Sequence, residues 1–514
     1  MARKIRVFSQ LLFIVLFCVF LFFFNSPNTV NNIRVEWFLQ INPLVGLVTS
    51  IASRAIIIPL LAGGITLAVF TIFFGRIFCG YICPMGTLID FTDRFVTVRI
   101  RSKFKRPPIW LRQLKYIILV LILTWSVFGT VIPSFIDPVS LLTRICVLVL
   151  HPILLSIKSV FEELWIMVLG VFDKDAKLNN EMIKLLDVNI SAMFIALLII
   201  TGGICDKRFW CQYVCPSGAF FAILGRFSVF RRRVIAKKCS HCGICAKICP
   251  TRAIDVNDCS NTSISECLLC GLCSNRKISC SELGFELPKP GKSSGVDIKR
   301  RHIVYGIFAG VTVAPIINAG IYSKKKGTDV IRPPGAILEK DFLTRCLACG
   351  ECIKVCPTNA LAPCSVFDGF GRMWTPRLIA QNGYCKEGCT ACCNVCPTGA
   401  LTPVARDDKE FVKIGTAIVD SSQCIAWRGV RRCLVCMHMC QYNAITVNSL
   451  GERDGPYVNQ EIFTGCGKCE HYCPVTVKSA ISVISFGERR LEPGKPVLSM
   501  SKREKMLKIR AFSK

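Results

Sequence analysis

Apolar residues in this chain are gathered into a few long runs. Five of these runs are each about 20 residues long, which is enough for a helix to cross a hydrocarbon core about 30 Å thick. They cover roughly residues 7–25, 55–75, 115–135, 188–205 and 303–322. Polar segments that are rich in cysteine and in basic residues lie between and after them. The pattern therefore predicts a membrane domain of about five helices joined to domains that lie in water.

Basic residues predict the orientation of these helices. The segment MARKIR precedes the first run, so the positive-inside bias places the N-terminus in the cytoplasm. Alternation then puts the basic segments 94–115 and 231–233 in the cytoplasm and the chain after the fifth run outside it. Residues 136–187 would lie outside, and their apolar part, LLTRICVLVLHPILL, predicts a membrane-surface or re-entrant helix, with a sixth crossing as the alternative.

The composition supports a membrane protein that binds metal. Hydrophobic residues make up 52% of the chain, and the mean hydropathy is +0.47. The net charge of +30 would also suit a nucleic-acid-binding protein, but the basic residues lie beside apolar runs, so we expect membrane lipid and no nucleic acid as a partner. The 33 cysteines recur at spacings of two and three residues, which is typical of metal ligands and not of a disulfide framework.

The stretch CSHCGICAKICP at residues 239–250 has the C-x2-C-x2-C-x3-C-P spacing of bacterial ferredoxins. In this pattern the fourth cysteine turns away and binds the neighbouring cluster. A second run follows with a longer loop before its last cysteine, and Cys259, left over, is an alternative ligand to Cys280. The predicted clusters are bound by Cys239, Cys242, Cys245 and Cys280, and by Cys249, Cys267, Cys270 and Cys273.

Four more cysteine runs follow the fifth apolar run. The candidate ligands are Cys346, Cys349, Cys352 and Cys356; Cys385, Cys389, Cys392 and Cys396; Cys424, Cys433, Cys436 and Cys440; and Cys466, Cys469 and Cys473. Phe463 stands where the fourth run should have its first cysteine. A three-iron cluster is one expectation there; a displaced ligand such as Cys364, a water molecule or another side chain is the other. Zinc sites also use C-x2-C pairs, but they lack the triplet followed by proline.

The stretch FCGYICPMG at residues 78–86 is nearly repeated as WCQYVCPSG at residues 210–218. A C-x3-C spacing puts both thiols on one face of a helix, and we expect the following proline and glycine to end that helix. The two copies would bring four thiols together, to hold a further cluster, to form a redox-active thiol site or to shape a quinone pocket; simple packing of a helix end is the alternative. The thiols concerned belong to Cys79, Cys83, Cys211 and Cys215.

Haem is not expected. Bis-histidine haem needs two histidines within the bilayer. Of the five histidines, only His151 is suitably placed for that. The cysteine runs instead predict iron–sulfur clusters as the cofactors, about six in all and mostly of the four-iron type, with one three-iron cluster as a possibility at the fourth run.

Arg300 and Arg301 stand directly before the fifth apolar run, in a twin-arginine arrangement. Residues 1–285 resemble the NapH-type membrane iron–sulfur proteins of periplasmic nitrate reductase systems, with paired C-x3-C-P motifs and a two-cluster ferredoxin. Residues 299–485 resemble their exported NapG-type partner, which has the same leader and also the motifs CPTGAL and TGCGKCE. Phe463, and Gln441 in place of the usual proline after a cysteine, depart from the pattern.

The resemblance implies a fusion of the two proteins that delivers electrons from quinol to a reductase or cytochrome outside the cytoplasmic membrane. Because the leader continues from the membrane half, we expect it to remain as an anchor. Related membrane proteins serve nitrous oxide reduction, methylamine oxidation and copper-site assembly. Two other functions stay open: a reductase that carries low-potential electrons from a cytoplasmic donor outward to maintain a metalloenzyme, and a zinc scaffold without redox activity.

The predicted fold class is a multi-domain integral membrane protein, with an α-helical membrane domain of about five helices and two α+β domains of the bacterial ferredoxin type. It would pass through the cytoplasmic membrane several times. The expected domains are a membrane domain (1–230), a cytoplasmic two-cluster ferredoxin domain (231–298), a twin-arginine-like anchor (299–323) and an external four-cluster ferredoxin domain (324–514).

Overall fold

The computed structural model divides the chain into two compact units. Unit 1 comprises residues 1–23 and 35–316, and unit 2 comprises residues 24–34 and 317–514. The residues that the structure describes are 2–24, 37–95, 106–131, 135–154, 156–158, 160–161, 189–235, 239–256, 258–274, 280–286, 300–322, 330–450, 453–475 and 479–490.

Unit 1 consists of helices and one small sheet. Polar side chains begin several of the helices: the Asn42 and Asn189 side chains each accept a hydrogen bond from a backbone N–H of the first turn, and Asp137 accepts two. The helices are α1 (Ala2–Val19), α2 (Trp37–Gln40), α3 (Pro43–Ser53), α4 (Ile58–Phe74), α5 (Pro84–Phe95), α6 (Gln113–Val127), α7 (Pro138–Ile145), α8 (Ile190–Cys205), α9 (Pro216–Gly225), α10 (Ile244–Ile248) and α11 (Arg300–Tyr322).

Three helical segments of the described chain, and not five, are long and apolar enough to cross a membrane: Lys4–Phe22, Ile109–Val127 and Pro138–Lys158. The first two segments overlap the predicted runs 7–25 and 115–135. The third lies in the segment that we expected to form a surface or re-entrant helix. The other three predicted runs contain shorter apolar helices, because α4 ends at Gly75 with a positive φ of 64°, α8 ends before Asp206, and the apolar part of α11 is short.

Helix α11 packs closely against α6 through two glycines. A Cβ atom added at Gly306 would lie 3.2 Å from Val120 Cγ1, and one added at Gly310 would lie 2.8 Å from Thr124 Cβ. The Trp125 indole N–H also donates to the Gly310 carbonyl oxygen at 3.0 Å. Two glycines four residues apart allow this approach, as in membrane helix pairs with a G-x3-G motif. The part of α11 up to residue 316, which begins with the twin arginine, is therefore packed into unit 1.

The two strands of unit 1 form an antiparallel pair beside the end of α4. Strand β1 (Phe230–Val234) pairs with β2 (Ser281–Phe285), with Phe230 opposite Phe285. Their rings lie 5.0 Å apart between centroids, and both rings are 6.4 Å from the ring of Phe74. This aromatic contact joins the sheet to the helical part of the unit.

Unit 2 consists of short helices and two-stranded antiparallel sheets around one core. The pairs are β3 (Leu361–Pro363) with β4 (Pro376–Leu378), β5 (Thr416–Val419) with β8 (Ile481–Ile484), and β6 (Ile445–Leu450) with β7 (Arg453–Val458). The short helices are α12 (Glu339–Arg345), α13 (Glu351–Lys354), α14 (Ala391–Asn394), α15 (Val435–Met439) and α16 (Lys468–His471). Cysteines of the four runs line this core together with aliphatic side chains.

A buried ion pair lies at the start of unit 2. Arg332 is almost completely buried, donates to both carboxylate oxygens of Glu339, at 3.0 and 2.7 Å, and lies over the Phe342 ring. Burial alone would raise the pKa of Glu339, but Arg332, Arg490 and Arg372 outweigh this effect and lower it to about 2. The carboxylate is therefore charged at neutral pH, and it satisfies a buried guanidinium.

We predict that Gly310→Leu lowers the thermal unfolding midpoint of the detergent-solubilised protein. The larger side chain must displace Thr124, and overpacking of this kind costs about 1–3 kcal/mol. Val311→Leu, at an exposed neighbouring position of the same helix, is the matched control and should leave the midpoint unchanged. Equal midpoints for the two variants would contradict close packing of α11 on α6.

Candidate functional site

The two C-x3-C-P motifs form π-helical turns. In each turn the backbone N–H of the second cysteine donates to a carbonyl five residues earlier: Cys83 to Phe78, and Cys215 to Trp210, both at 2.9 Å. Each cysteine-bearing turn ends before the proline, as expected, because Cys83 and Cys215 are extended, but a new helix follows at once: α5 begins at Pro84 and α9 begins at Pro216. Proline suits the first position of a helix, where its missing N–H has no partner to lose.

The four thiols of these motifs come together. Cys83 and Cys215 each interact electrostatically with both Cys79 and Cys211. The sequence predicted this meeting, and the structure shows how the two turns achieve it. We call this group, Cys79, Cys83, Cys211 and Cys215, the four-thiol site.

Two buried arginines cross between the motifs. Arg208, from the second motif, donates to the carbonyl oxygen of Cys79 at 3.0 Å and lies 3.6 Å from a Cβ built on Gly86. Arg76, from the first motif, lies 3.3 Å from a Cβ built on Gly218. Each motif thus supplies the arginine that packs against the glycine of the other. The shared arginine and glycine of the repeat are explained by this exchange.

Buried ion pairs surround the four-thiol site. Glu266 binds Arg76 at 2.9 Å and Lys115 at 2.6 Å, and Asp90 binds Arg208 at 2.6 Å and also Arg6. All four cations are buried, and each has a carboxylate partner, as a buried charge requires. A further buried carboxyl group, that of Asp137, lies near Cys215.

The first π-turn also touches the neighbouring cysteine run. The Tyr81 hydroxyl donates to the Leu269 carbonyl oxygen at 3.0 Å, and a Cβ on Gly80 would lie 2.9 Å from the carbonyl oxygen of Leu268. These two leucines lie between Cys267 and Cys270. The four-thiol site is therefore adjacent to the predicted ferredoxin cluster.

The structure brings together the four cysteines predicted for that cluster. Cys267 interacts with Cys249, Cys270 and Cys273. All four line one cavity. The backbone N–H of Ala253 donates to the Cys249 sulfur at 3.3 Å. We call this set site II.

The second set of cysteines in unit 1, which we call site I, contains the triplet Cys239, Cys242 and Cys245. Two further thiols lie next to it: Cys280 interacts with Cys239, and Cys259 interacts with Cys245. Both candidates for the fourth ligand are thus placed at the site. Cys242 is exposed, so site I lies at the surface of unit 1.

In unit 2 the first two cysteine runs exchange their fourth cysteines. Cys396, from the second run, interacts with Cys346, Cys349 and Cys352, whereas Cys356, from the first run, interacts with Cys392. Lys409 also interacts with three cysteines of the second run and lies 3.2 Å from the Cys385 sulfur. Site III therefore comprises Cys346, Cys349, Cys352 and Cys396, and site IV comprises Cys356, Cys385, Cys389 and Cys392.

The last two runs exchange in the same way. Cys473, from the fourth run, interacts with Cys436. Cys440, from the third run, interacts with Cys466 and Cys469. Site VI comprises Cys424, Cys433, Cys436 and Cys473, which line one cavity. Site V comprises Cys440, Cys466 and Cys469, and the buried Phe463 replaces its fourth cysteine.

The four sites of unit 2 form a line. Cys352 of site III interacts with Cys392 of site IV. Cys385 of site IV interacts with Cys466 of site V, and its backbone N–H donates to the Cys466 carbonyl oxygen at 2.7 Å. Cys469 of site V interacts with Cys436 of site VI. The order is therefore III, IV, V and VI, with the three-cysteine site inside the line.

The turn after the fourth cysteine is repeated even where the sequence departs from the pattern. Asn443, three residues after Cys440, has a φ of 50°, and Arg252, Asn359 and Gly399 occupy the same position in the other turns with φ values of 46°, 53° and 68°. The Ala444 N–H donates to the Cys440 sulfur at 3.3 Å. The glutamine that replaces proline after Cys440 therefore leaves the turn unchanged.

Thiols of these sites are buried in a way that disfavours free thiolates. Burial raises the pKa of Cys346, Cys385 and Cys436 to about 12 each, although Lys409 opposes the shift at Cys385. A metal that replaces the thiol proton removes this penalty, so binding a cluster would release protons. The N–H donors to the sulfurs would then stabilise the bound thiolates.

Two buried cysteines of unit 2 lie outside these sets. The Cys393 thiol donates to the Pro334 carbonyl oxygen at 2.8 Å. Cys364, which was an alternative ligand for the fourth run, instead lies beside Arg332 and interacts with Cys346 of site III. It therefore does not complete site V.

Within the described residues, no three His, Cys, Asp or Glu side chains surround a single-ion site. Each thiolate of a four-iron cluster binds a different iron, so the ligands of a cluster stand farther apart than those of one ion. The spacing of the thiols in these cysteine sets therefore suits a cluster and not a single metal ion.

Two family models, each described as a 4Fe-4S binding domain, match the chain. One covers residues 56–107 and 188–235, which hold the two C-x3-C-P motifs, and the other covers residues 233–255 and 342–362. The protein is thus an iron–sulfur protein of the ferredoxin type. No solved structure matches it.

Similar proteins of known type show which group of ferredoxin-type iron–sulfur proteins this chain resembles. The methylamine utilization ferredoxin-type protein MauM of Methylobacillus flagellatus is 36% identical over 30% of this chain and 68% of its own length. The ferredoxin-type protein NapG of Escherichia coli is 35% identical over 32% of this chain and 74% of its own. The putative electron transport protein YccM of Escherichia coli is 27% identical over 47% of this chain and 63% of its own. The chain belongs to the family of ferredoxin-type electron-transfer proteins that includes MauM and NapG.

We predict that Cys356→Ala and Cys385→Ala act on the same cluster. Each variant alone should lose about four irons, and the double variant should lose no more than either one, because both cysteines belong to site IV. Iron per chain in the anaerobically purified protein measures this. Cys393→Ala is the control that should lose none. A double variant that loses about eight irons would mean that each run binds its own cluster.

Proposed function

We propose that this protein is a membrane-anchored polyferredoxin that passes electrons from the quinol pool through iron–sulfur clusters to a reductase outside the cytoplasmic membrane. The observation that carries the proposal is the line of adjacent cysteine sites in each unit. In unit 1 the four-thiol site touches site II through Tyr81 and Leu269. In unit 2 sites III to VI follow one another through interacting cysteines.

Three apolar helical segments support attachment to a membrane. The proposal places the N-terminus and the domain of residues 231–298 in the cytoplasm and the domain of residues 324–514 outside it, as the basic residues indicate. This placement requires that the shorter apolar helices α4, α8 and α11 also cross the membrane and that Pro138–Lys158 does not. Close packing of α11 on α6 supports retention of the twin-arginine segment 299–323 as an anchor. This arrangement corresponds to a NapH-type half joined to a NapG-type half.

The four-thiol site would hold a cluster of its own. Its four thiols converge, and the buried guanidinium groups of Arg76 and Arg208 lie close to them. The matching 4Fe-4S family model covers both of its motifs. Arg76 and Arg208 would then neutralise an anionic cluster, which ordinary packing of a helix end would not require.

Site V would hold a three-iron cluster. Three thiols converge there, and the buried Phe463 stands in the sequence where the pattern would have the missing cysteine. A phenyl ring cannot bind iron. Because site V lies between sites IV and VI, its cluster type would set the potential in the middle of the line.

When bound, a cluster accepts and releases one electron, so the two electrons of a quinol require two clusters while its two protons are released to water. The chain's own residues hold these groups at fixed places. Backbone N–H groups donate to Cys249, Cys396 and Cys440, and buried arginines compensate negative charge in unit 1. Both kinds of contact raise cluster potentials toward those that a quinol can reduce.

A second candidate direction is favoured by the exposure of site I. Cys242 lies at the surface, where a soluble cytoplasmic donor of low potential could dock. Electrons would then enter at site I and leave outward for activation or maintenance of a metalloenzyme. The alternative uses the same cluster sites, but the electrons come from a cytoplasmic donor and not from quinol.

The direct test is anaerobic addition of a quinol analogue to the oxidised, purified protein, with cluster bleaching and low-temperature electron paramagnetic resonance as readouts. We expect the visible absorption of the clusters to bleach when the quinol analogue is mixed with the oxidised protein. If the clusters stay oxidised with quinol but are reduced by a low-potential ferredoxin, the outward-activating reductase is the correct account.

We predict that Phe463→Cys converts site V from a three-iron to a four-iron site. The oxidised wild-type protein should show a three-iron signal in electron paramagnetic resonance, and the variant should lose this signal and gain about one iron per chain. Phe463→Leu, which offers no ligand, is the matched control and should keep the signal. Absence of a three-iron signal from wild type, or its persistence in Phe463→Cys, would contradict the assignment.

A further inference from the structure

A long loop separates the first two cysteines of site VI. Eight residues, IAWRGVRR, lie between Cys424 and Cys433, whereas the first two cysteines of the other runs are separated by two or three residues. Both cysteines line the cavity of site VI, so the loop begins and ends at ligands of one predicted cluster. We call residues 425–432 the site VI loop.

The site VI loop has a defined conformation. Three backbone hydrogen bonds of 2.9, 2.9 and 3.2 Å close the chain from Cys424 to Val430 into compact turns. The Trp427 indole N–H donates to the Pro456 carbonyl oxygen at 3.4 Å, and a Cβ atom added at Gly455 would lie 2.1 Å from the indole ring. Strand β7 therefore holds the base of the loop, and the rest of the loop is presented on a fixed support.

The outer part of the loop is basic and exposed. Arg428, Arg431 and Arg432 are exposed, and Val430 between them is 67% exposed. Among the described residues, the side chains of these three arginines form no ion pair or hydrogen bond. A group of unpaired positive charges thus surrounds a small apolar patch on the surface of unit 2.

The exposure of these arginines argues against a role in neutralising the cluster. The cations that lie beside thiols elsewhere in the chain, Arg76, Arg208 and Lys409, are all buried. Exposed charges are surrounded by water and salt, so they add little to the stability of the fold or of a buried group. Charges of one sign that are clustered on a surface do accelerate encounter with a partner of opposite charge.

The loop also lies where electrons must leave or enter the line of clusters. Site VI is at one end of the order III, IV, V and VI, and Cys433, Cys436 and Cys473 are only half-buried. Arg432 directly precedes Cys433, so their Cα atoms are about 3.8 Å apart. Electron transfer slows steeply with distance. A protein that contacts the loop would therefore stand next to the cluster with which it exchanges electrons.

We propose that the site VI loop is the docking surface for a redox protein with an acidic face, which exchanges electrons with the cluster of site VI. The arginines would pair with carboxylates of this partner around a central contact at Val430, in a small and transient interface. The inference rests on the proposed electron transfer through unit 2 and names the chemistry of its partner. A second copy of this chain does not suit the loop, because the net charge of each copy is +30.

The test uses two forms of one electron acceptor. Native cytochrome c is basic, whereas succinylated cytochrome c carries carboxylates in place of its lysine amines. The full-length, cluster-loaded protein in discs of phosphatidylcholine is reduced and mixed with each form, and each reaction passes one electron from a reduced cluster to ferric haem, which becomes ferrous. We expect the succinylated form to react at least tenfold faster than the native form at low salt, with a rate that falls as salt is added.

Arg431→Glu should slow the reaction with the succinylated form at least threefold and accelerate the reaction with the native form. Arg406→Glu, at an exposed arginine of unit 2 outside the loop, is the matched control with the same change of charge. It should leave both rates within a factor of two of wild type. Iron content and electron paramagnetic resonance show that the clusters of each variant are intact.

The outcomes distinguish docking from other effects of charge. Opposite changes of the two rates in Arg431→Glu, without such changes in Arg406→Glu, support the docking surface. Changes in the same direction would mean that Arg431 acts on the cluster potential, and equal effects of both variants would mean that only net charge matters; either result overturns the proposal. So does an effect of Arg431→Glu that disappears in discs of phosphatidylglycerol, because the loop then binds anionic lipid.

Reduction of the clusters by quinol is measured separately on the same preparations. If quinol reduces the clusters but the loop variants behave as wild type, the docking surface fails and the quinol-linked function survives. If quinol does not reduce them but the two rates change in opposite directions, the docking surface stands and the quinol link fails.

Discussion

The exchange of cysteines between successive runs is the constraint on which the rest of unit 2 depends. A cluster needs thiolates from two separate stretches of chain, so neither run can complete its site until its neighbour is in place. Cys356 and Cys396 cross between the first two runs, and Cys440 and Cys473 cross between the last two. The crossing brings each pair of sites close together, and the contact between Cys385 and Cys466 joins the two pairs into one line.

Unit 1 depends on buried charge in a comparable way. Arg76 and Arg208 are fully buried and are held by Glu266 and Asp90, which come from elements distant in the chain. Lys115, on an apolar helix, also binds Glu266, so this carboxylate joins a helix suited to lipid to the loop that carries Cys267. The ion pairs therefore fix the four-thiol site against site II, and the distance between the two thiol groups is set by protein contacts.

Much of this arrangement could be predicted from the sequence. Cysteine spacing located the ligand runs, and the repeat around Cys79 and Cys211 predicted the meeting of four thiols. The crossing in unit 2 was not predicted, because the rule that the fourth cysteine binds the neighbouring cluster was applied to Cys249 but not to the four later runs. The threonine two residues after Cys249, Cys356 and Cys396 was a signal for equivalent turns that went unused.

Other features depend on contacts that no local pattern records. Apolar length suggested five crossing helices, but helix ends depend on the backbone at residues such as Gly75, and three segments of sufficient length remain in the described chain. The burial of Arg231 and Arg232 became visible only in three dimensions, since a run of arginines beside an apolar segment looks like an inside anchor.

The measurement that tests the central claim most directly is the content of iron, acid-labile sulfide and zinc in the anaerobically purified full-length protein. Seven cluster sites, one of them with three irons, predict about 27 irons per chain, a matching amount of sulfide and almost no zinc. About 23 irons would mean that the four-thiol site holds no cluster. A folded protein with several zinc ions and no sulfide would contradict the account and leave a structural scaffold in its place.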